Sequence, residues 1–292
     1  MIIGNVSVFF RGYLVLGPDW HLMLSSCFFI VFGCAAFLYT NHITNICIAI
    51  VILSILSLVL LLLCAFSNPG ILVKEPLPPP DTPPHEPRWV DMEYSRPDGT
   101  RAVAKLEQKW CYSCNIYRPL RAVHCRFCDV CILRRDHHCP WTGICIGAGN
   151  YITYFSLLWS VLVLTLIAFI GGVISLIRRM KFHSQEDSKL DILKGFYEAL
   201  SDTYYLEFLL ILINMMWVVV ISILAAKHTY LISKNMTSGD YIKSNTENIF
   251  EQSTLLENIR YSLFYFSGAC IQSTNLLRSA TTQESVVVIE SV

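Results

Sequence analysis

The chain has 292 residues, 54% of them hydrophobic and 15% charged, with 22 Lys+Arg against 22 Asp+Glu. A neutral balance gives no basic surface for nucleic acid, and no nucleic-acid partner is expected. So apolar a composition is that of a polytopic membrane protein.

Residues 1–21 read as a short polar-aromatic lead on the cytosolic side, closed by the turn signal Gly17-Pro18-Asp19. Two apolar runs follow, from about Leu22 to Tyr39 and from Ile43 to Phe66. Each is long enough to cross ~30 Å of hydrocarbon at ~1.5 Å per residue. Only Thr40, Asn41 and His42 separate them, so residues 22–66 form a transmembrane hairpin. Ser67-Asn68-Pro69-Gly70 stops the second helix.

Residues 67–88 are a linker in which seven of the twelve prolines lie between Pro76 and Pro87, a composition that favours an extended spacer. Trp89 to Lys105 alternates loosely around Pro97-Asp98-Gly99 and predicts a hairpin leading into a cysteine-rich domain, 89–150. A third span runs from Tyr151 to Ile177. A mixed-charge loop, 178–203, carries five Lys/Arg and five Asp/Glu. A fourth span runs from Tyr204 to Ala226, with Glu207 near its start expected in the headgroup zone. In the C-terminal region, 227–292, Leu256, Ile259, Leu263 and Phe266 recur at helical spacing and predict an amphipathic helix. Residues 275–292 read as disordered and Cys270 stands alone. Segment 67–150 carries eleven Lys/Arg and the first hairpin turn none, so the cysteine block and both termini are expected in the cytosol and loop 178–203 in the lumen.

Seven of the twelve cysteines and three of the eight histidines fall between Cys111 and Asn150. Cys111/Cys114 and Cys125/Cys128 are C-x2-C pairs, a spacing that lets one tight turn present two thiolates to one ion. Two tetrahedral zincs need eight ligands. The block offers ten: Cys111, Cys114, Cys125, Cys128, Cys131, Cys139 and Cys145, with His124, His137 and His138. If the spare groups are an adjacent Cys and His, they form a nucleophile and its base. His137 and Cys139 fit that description, with Asp136 placed to orient the imidazole. Spacing alone leaves open whether His137 or His138 is the ligand. In a block this small, metal rather than apolar burial must hold short hairpins and knuckles together.

Asp136-His137-His138-Cys139-Pro140-Trp141, in the frame C-x2-C-x9-HC-x2-C-x2-C-x4-DHHC-x5-C-x4-N, resembles the signature of the DHHC-type zinc-finger protein S-acyltransferases, or palmitoyltransferases. The resemblance implies an α-helical polytopic membrane protein. Four transmembrane helices would carry a cytosolic two-zinc domain of short β-hairpins between helices 2 and 3. It gives one structural Zn2+ to Cys111, Cys114, His124 and Cys131, and the other to Cys125, Cys128, His138 and Cys145. Cys139 would be the acyl-accepting nucleophile, His137 its base and Asp136 the residue orienting that base. Trp141 would lie by the thioester, and the acyl chain in a cavity among the spans.

The implied donor is palmitoyl-CoA or another long-chain acyl-CoA. The implied acceptors are cysteines of membrane-associated proteins, reached at the membrane lipid surface of the Golgi or endoplasmic reticulum. An accessory subunit serves some relatives. Arg134 and Arg135 are candidates for the CoA phosphates. Three positions depart from the family pattern: Asn68 for Asp, Ser238 for Thr, and Asp240 for Glu. Asn258 is a weak match to a C-terminal Asn. The alternative reading is a catalytically inactive four-span adaptor whose zinc module binds other proteins.

Overall fold

The computed structural model describes residues 1–10, 14–76, 86–95, 100–183, 189–203, 205–243 and 248–265. The turn at Pro97-Asp98-Gly99, Phe266, Cys270 and the 275–292 tail lie outside them. The chain divides into two compact units, one of residues 25–61 and 155–227, the other of 1–24, 62–154 and 228–292.

Four helices are long and apolar enough to cross a membrane: α1 (Trp20–Thr40), α2 (Thr44–Phe66), α3 (Tyr151–His183) and α5 (Leu206–Ser233). The first two match the expected spans within two residues. The third and fourth run on past Ile177 and Ala226, because no Gly or Pro follows either apolar run to stop the helix. The expected loop 178–203 is itself largely helical, through the end of α3 and through α4 (Lys189–Asp202).

In the helical unit, Gly171 of α3 leaves room for its neighbours, since a Cβ there would press on the side chains of Ile46 and Phe37. Small residues at such crossings let backbones approach, and polar side chains pair across them. Ser57 and Ser160 do so, with hydroxyl oxygens 2.8 Å apart. Glu207 corrects the expectation from sequence. It is 1% exposed, and its Oε2 lies 3.3 Å from Arg179 Nε. Arg179 also donates from Nη2 to the Thr40 carbonyl at 2.7 Å. A cation from α3 meets the acid inside the unit, so it does not reach for headgroups.

The other unit is built of short strands. The N-terminal stretch is a sheet, β1 (Ile2–Ile3), β2 (Val6–Phe9) and β3 (Leu14–Leu16), paired antiparallel in that order. Alternation along these strands turns Val6, Val8 and Val15 inward, where they pack with Ile3, Ile71, Val130, Ile132 and Ile144. Each fully buried Val or Ile contributes about 1.5–3 kcal/mol. The stretch read as a loose lead is therefore part of the core. The linker also begins as structure: β4 (Ile71–Leu72) pairs with β10 (Val130–Ile132), which pairs with β9 (Val123–Cys125). Asn68 Oδ1 accepts from the N–H groups of Gly70 and Ile71, both at 2.9 Å, and turns the chain from α2 into β4.

The expected hairpin is present as β5 (Arg88–Ser95) and β6 (Arg101–Gln108). Two smaller hairpins follow, β7 (Trp110–Cys111) with β8 (Ile116–Tyr117), and β11 (His137–Cys139) with β12 (Ile144–Ile146). Fully buried Asn150 closes the block. It donates to the carbonyls of Cys64 and Cys145 and accepts from Gly147 N–H.

Beyond α5 lie α6 (Ser238–Ile242), α7 (Leu255–Arg260) and a π-helical turn, Tyr261–Tyr265. The expected helix is present in part as α7. Leu256 is 75% exposed, whereas Asn258 and Ser262 are buried. Asn258 accepts from Gln252 N–H and donates to the Ser233 carbonyl, so hydrogen bonds rather than apolar contact anchor the segment.

Candidate metal centres and a Cys–His–Asp site

The C-x2-C turns present their thiols as the spacing requires. Cys111, Cys114, His124 and Cys131 converge in one cluster, and Cys125, Cys128, His138 and Cys145 in another. A tetrahedral zinc with Zn–S of about 2.3 Å and Zn–N of about 2.05 Å separates sulfur from nitrogen by about 3.6 Å, and sulfur from sulfur by about 3.8 Å. His138 Nδ1 lies 3.7, 3.3 and 3.6 Å from the sulfurs of Cys125, Cys128 and Cys145. Cys128 and Cys145 sulfurs are 3.7 Å apart. His124 Nδ1 lies 3.6, 3.4 and 4.0 Å from Cys111, Cys114 and Cys131. The donors fit zinc at both places. With four protein ligands each, neither would leave a position open for water, so a zinc held there would be structural.

The β11 strand answers what spacing left open. Successive side chains of a strand point to opposite faces. His138 turns into the second cluster, while His137 and Cys139 share the other face. On that face His137 Nδ1 lies 2.8 Å from Asp136 Oδ2. Cys139 is 5% exposed, and the Thr142 hydroxyl donates to its carbonyl at 3.2 Å.

The carboxylate of Asp136 is held from two sides. Ser238 donates its N–H to Oδ1 at 2.7 Å and its hydroxyl to Oδ2 at 2.9 Å. Ser238 opens α6, where Thr237 and Asp240 form a reciprocal capping box. Asp240 Oδ2 also accepts from Arg121 Nε and Nη2, at 3.1 and 2.7 Å. The two departures at Ser238 and Asp240 thus keep hydroxyl and acid in use.

Electrostatics follow from this packing. Burial opposes charge on Asp136, yet the hydrogen bond and charge of His137, with Ser238 N–H, hold its carboxyl at about 2. Burial likewise works against the His137 imidazolium, but bonds to Asp136 and Cys139 raise it to about 9. Burial alone would push the Cys139 thiol up; His137 and Thr142 reverse that and lower it. The arrangement favours a thiolate beside an imidazolium, the reactive form of cysteine.

Other expectations fare differently. Arg134 is 4% exposed and spends its guanidinium on Asn235, Ser262 and Tyr261, so burial removes it from any phosphate. Arg135 meets the sulfurs of Cys145 and Cys125. Trp141 lies on the turn after Cys139, 54% exposed.

Two residues carried no functional signal in the sequence. Asp19, read as part of a turn, places Oδ2 2.9 Å from His138 Nε2. His228, in an apolar helix, sits 2% exposed with Nδ1 3.0 Å from the Tyr151 hydroxyl and its ring 5.9 Å from that of His137.

The family model described as DHHC palmitoyltransferase matches residues 104–245. The chain is 34% identical over 201 residues to palmitoyltransferase ZDHHC14 of Mus musculus, which covers 64% of this chain and 38% of the relative. It is 31% identical over 242 residues to palmitoyltransferase ZDHHC9 of Pongo abelii, covering 77% of this chain and 60% of the relative. To palmitoyltransferase ZDHHC18-B of Danio rerio it is 32% identical over 242 residues, covering 77% of this chain and 56% of the relative. The matches thus span from 38% to 60% of these curated relatives' own length. With both Cys/His clusters and the last two of its four candidate spans inside the matched residues 104–245, the chain carries a DHHC palmitoyltransferase domain.

Proposed function

We propose that the chain moves a long-chain acyl group from acyl-CoA to cysteines of membrane-associated proteins. The observation that carries the reading is Cys139 on the same strand face as His137, whose ring is held by the clasped Asp136. In the first step the Cys139 thiolate attacks the thioester carbonyl carbon. The carbon–sulfur bond to CoA breaks, the leaving thiolate takes the proton from His137, and Cys139 becomes an acyl-cysteine. In the second step neutral His137 takes the proton of an incoming cysteine thiol. That sulfur attacks the acyl-Cys139 carbonyl, and Cys139 leaves as the thiolate. Asp136 keeps Nδ1 engaged, so the other ring nitrogen does the proton work. Zinc, held by the eight ligands named above, would fix the hairpin that carries Cys139 and take no part in bond making.

The basic segment 67–150 supports a cytosolic orientation, which matches acceptor cysteines on the cytosolic surface. The adaptor reading drew its footing from Asn68, Ser238 and Asp240, and the hydrogen bonds of all three weaken it. The test is autoacylation of the purified chain with a labelled long-chain acyl-CoA, beside Cys139→Ser. Hydroxylamine-sensitive label on the wild type alone is the expected result. Label retained at wild-type level on Cys139→Ser would reject the assignment, and no label on either would favour the adaptor or an enzyme lacking its accessory subunit, which adding candidate partners separates.

A further inference from the structure

The two Cys/His clusters differ in what stands behind the imidazole. In each, Nδ1 faces the sulfurs, so Nε2 points away and carries the proton. Behind His124, the nearest carboxylate oxygen among the described residues is Asp129 Oδ1 at 3.6 Å, beyond hydrogen-bond length. The other oxygen of Asp129 is engaged by Lys74 at 2.6 Å. Behind His138, Asp19 Oδ2 lies at 2.9 Å from Nε2, and the His138 side chain is 4% exposed. The Phe127 ring stacks on the same imidazole, centroids 4.9 Å apart.

Asp19 is delivered there by a specific backbone contact. Its N–H donates to the Gly143 carbonyl, in the turn between β11 and β12, at 3.3 Å. A Cβ on Gly17 would overlap that same carbonyl. Gly143 has φ +75°, in the left-handed region, and a Cβ there would press on the backbone of Asp19 and Trp20. Two glycines, more than a hundred residues apart, let the Gly17-Pro18-Asp19 turn seat on the hairpin that carries His138 and Cys139.

We propose that Asp19 is the positioning residue of the second metal centre: its carboxylate accepts the His138 Nε2–H, fixes ring plane and tautomer, and strengthens Nδ1 as a ligand. The proposal rests on reading the clusters as zinc sites. Removing a carboxylate behind a ligating imidazole typically costs 10–100-fold in metal affinity. Among the described residues His124 makes no such bond, so the N-terminal segment governs one centre and not the other.

The test uses the full chain in detergent. Zinc release into a chromogenic chelator is timed while the thiols are alkylated and mapped by mass spectrometry. Asp19→Ala is expected to release one of its two zincs roughly ten to a hundred times faster than wild type. Cys125, Cys128 and Cys145 should be labelled before Cys111, Cys114 and Cys131. Asp19→Asn, which keeps the shape and a neutral acceptor, should fall between. It carries the test by the same criterion if Asp19→Ala does not fold. Release at the wild-type rate from the variant tested, or faster release from the first cluster alone, would overturn the assignment of Asp19. Wild-type chain that holds no zinc would overturn the zinc reading, and this proposal with it, whatever its acyl-transfer activity.

Discussion

Ser238 grips Asp136 with two donors, its N–H at 2.7 Å on Oδ1 and its hydroxyl at 2.9 Å on Oδ2. Ser238→Ala removes the second and leaves the first. A hydrogen bond to a charged group contributes about 1.5–3 kcal/mol, and part of it bears on how Asp136 holds His137. Acyl transfer is expected to slow by roughly tenfold, with the KM for acyl-CoA unchanged and Ser238→Thr close to wild type. Steady-state kinetics of the two variants decide it. A wild-type rate for Ser238→Ala would mean that the hydroxyl does not position the dyad.

Cys139 and Cys145 lie on paired strands only six residues apart, yet the geometry gives them different fates. Cys139→Ala should keep two zincs per chain and lose the acyl-enzyme. Cys145→Ala should lose one zinc, and hairpin β11–β12 should open to protease. Metal analysis beside limited proteolysis reads both, and the reverse pattern would exchange their roles.

Asn68 satisfies two buried N–H groups with one oxygen. Asn68→Ala leaves both without that acceptor, at about 1–3 kcal/mol for each buried group. Thermal unfolding should show a midpoint several degrees lower. Asn68→Asp keeps the acceptor and should match or exceed wild type. Equal midpoints for Asn68→Ala and wild type would show that the turn needs only Pro69 and Gly70.

Asp240 supplies a pH signature. Burial acts to raise its carboxyl, but the Arg121 guanidinium and the Thr237 cap outweigh that and lower it. A carboxyl depressed in the folded state stabilises the fold above its unfolded value, near 3.9. That stability is lost as pH falls through the lower folded value. Wild type should therefore exceed Asp240→Asn in unfolding temperature near neutrality, and the gap should close as the medium is acidified below about pH 4. A gap that stays constant with pH would assign the loss to shape rather than charge.

The metal frame was legible because its ligands repeat at fixed short intervals, and four spans because apolar runs are long. What spacing could not supply was direction. His137 and His138 are neighbours in sequence, and only the pleat of β11 sends one to the Cys125–Cys128–Cys145 cluster and the other to the face of Cys139. Strands of two to four residues carry too little periodicity to announce themselves, so β1–β4 were read as lead and linker. Partners distant in sequence were hidden as well. Glu207 looked like a headgroup acid until Arg179 met it, and Arg134 like a phosphate ligand until Asn235 and Ser262 enclosed it. In the tail, the apolar spacing from Leu256 announced a helix but not the hydrogen bonds that accompany the burial of Asn258 and Ser262.

The clasp on Asp136 is also a matter of timing. During synthesis Cys139 leaves the ribosome soon after Asp136, but Ser238 follows 102 residues behind it, after α3 and α5. Until then the carboxylate has no second holder and the imidazole no fixed plane. On the proposed reading, a nascent chain whose later helices are not yet made therefore carries Cys139 unarmed, and the last span must be made before the dyad is set.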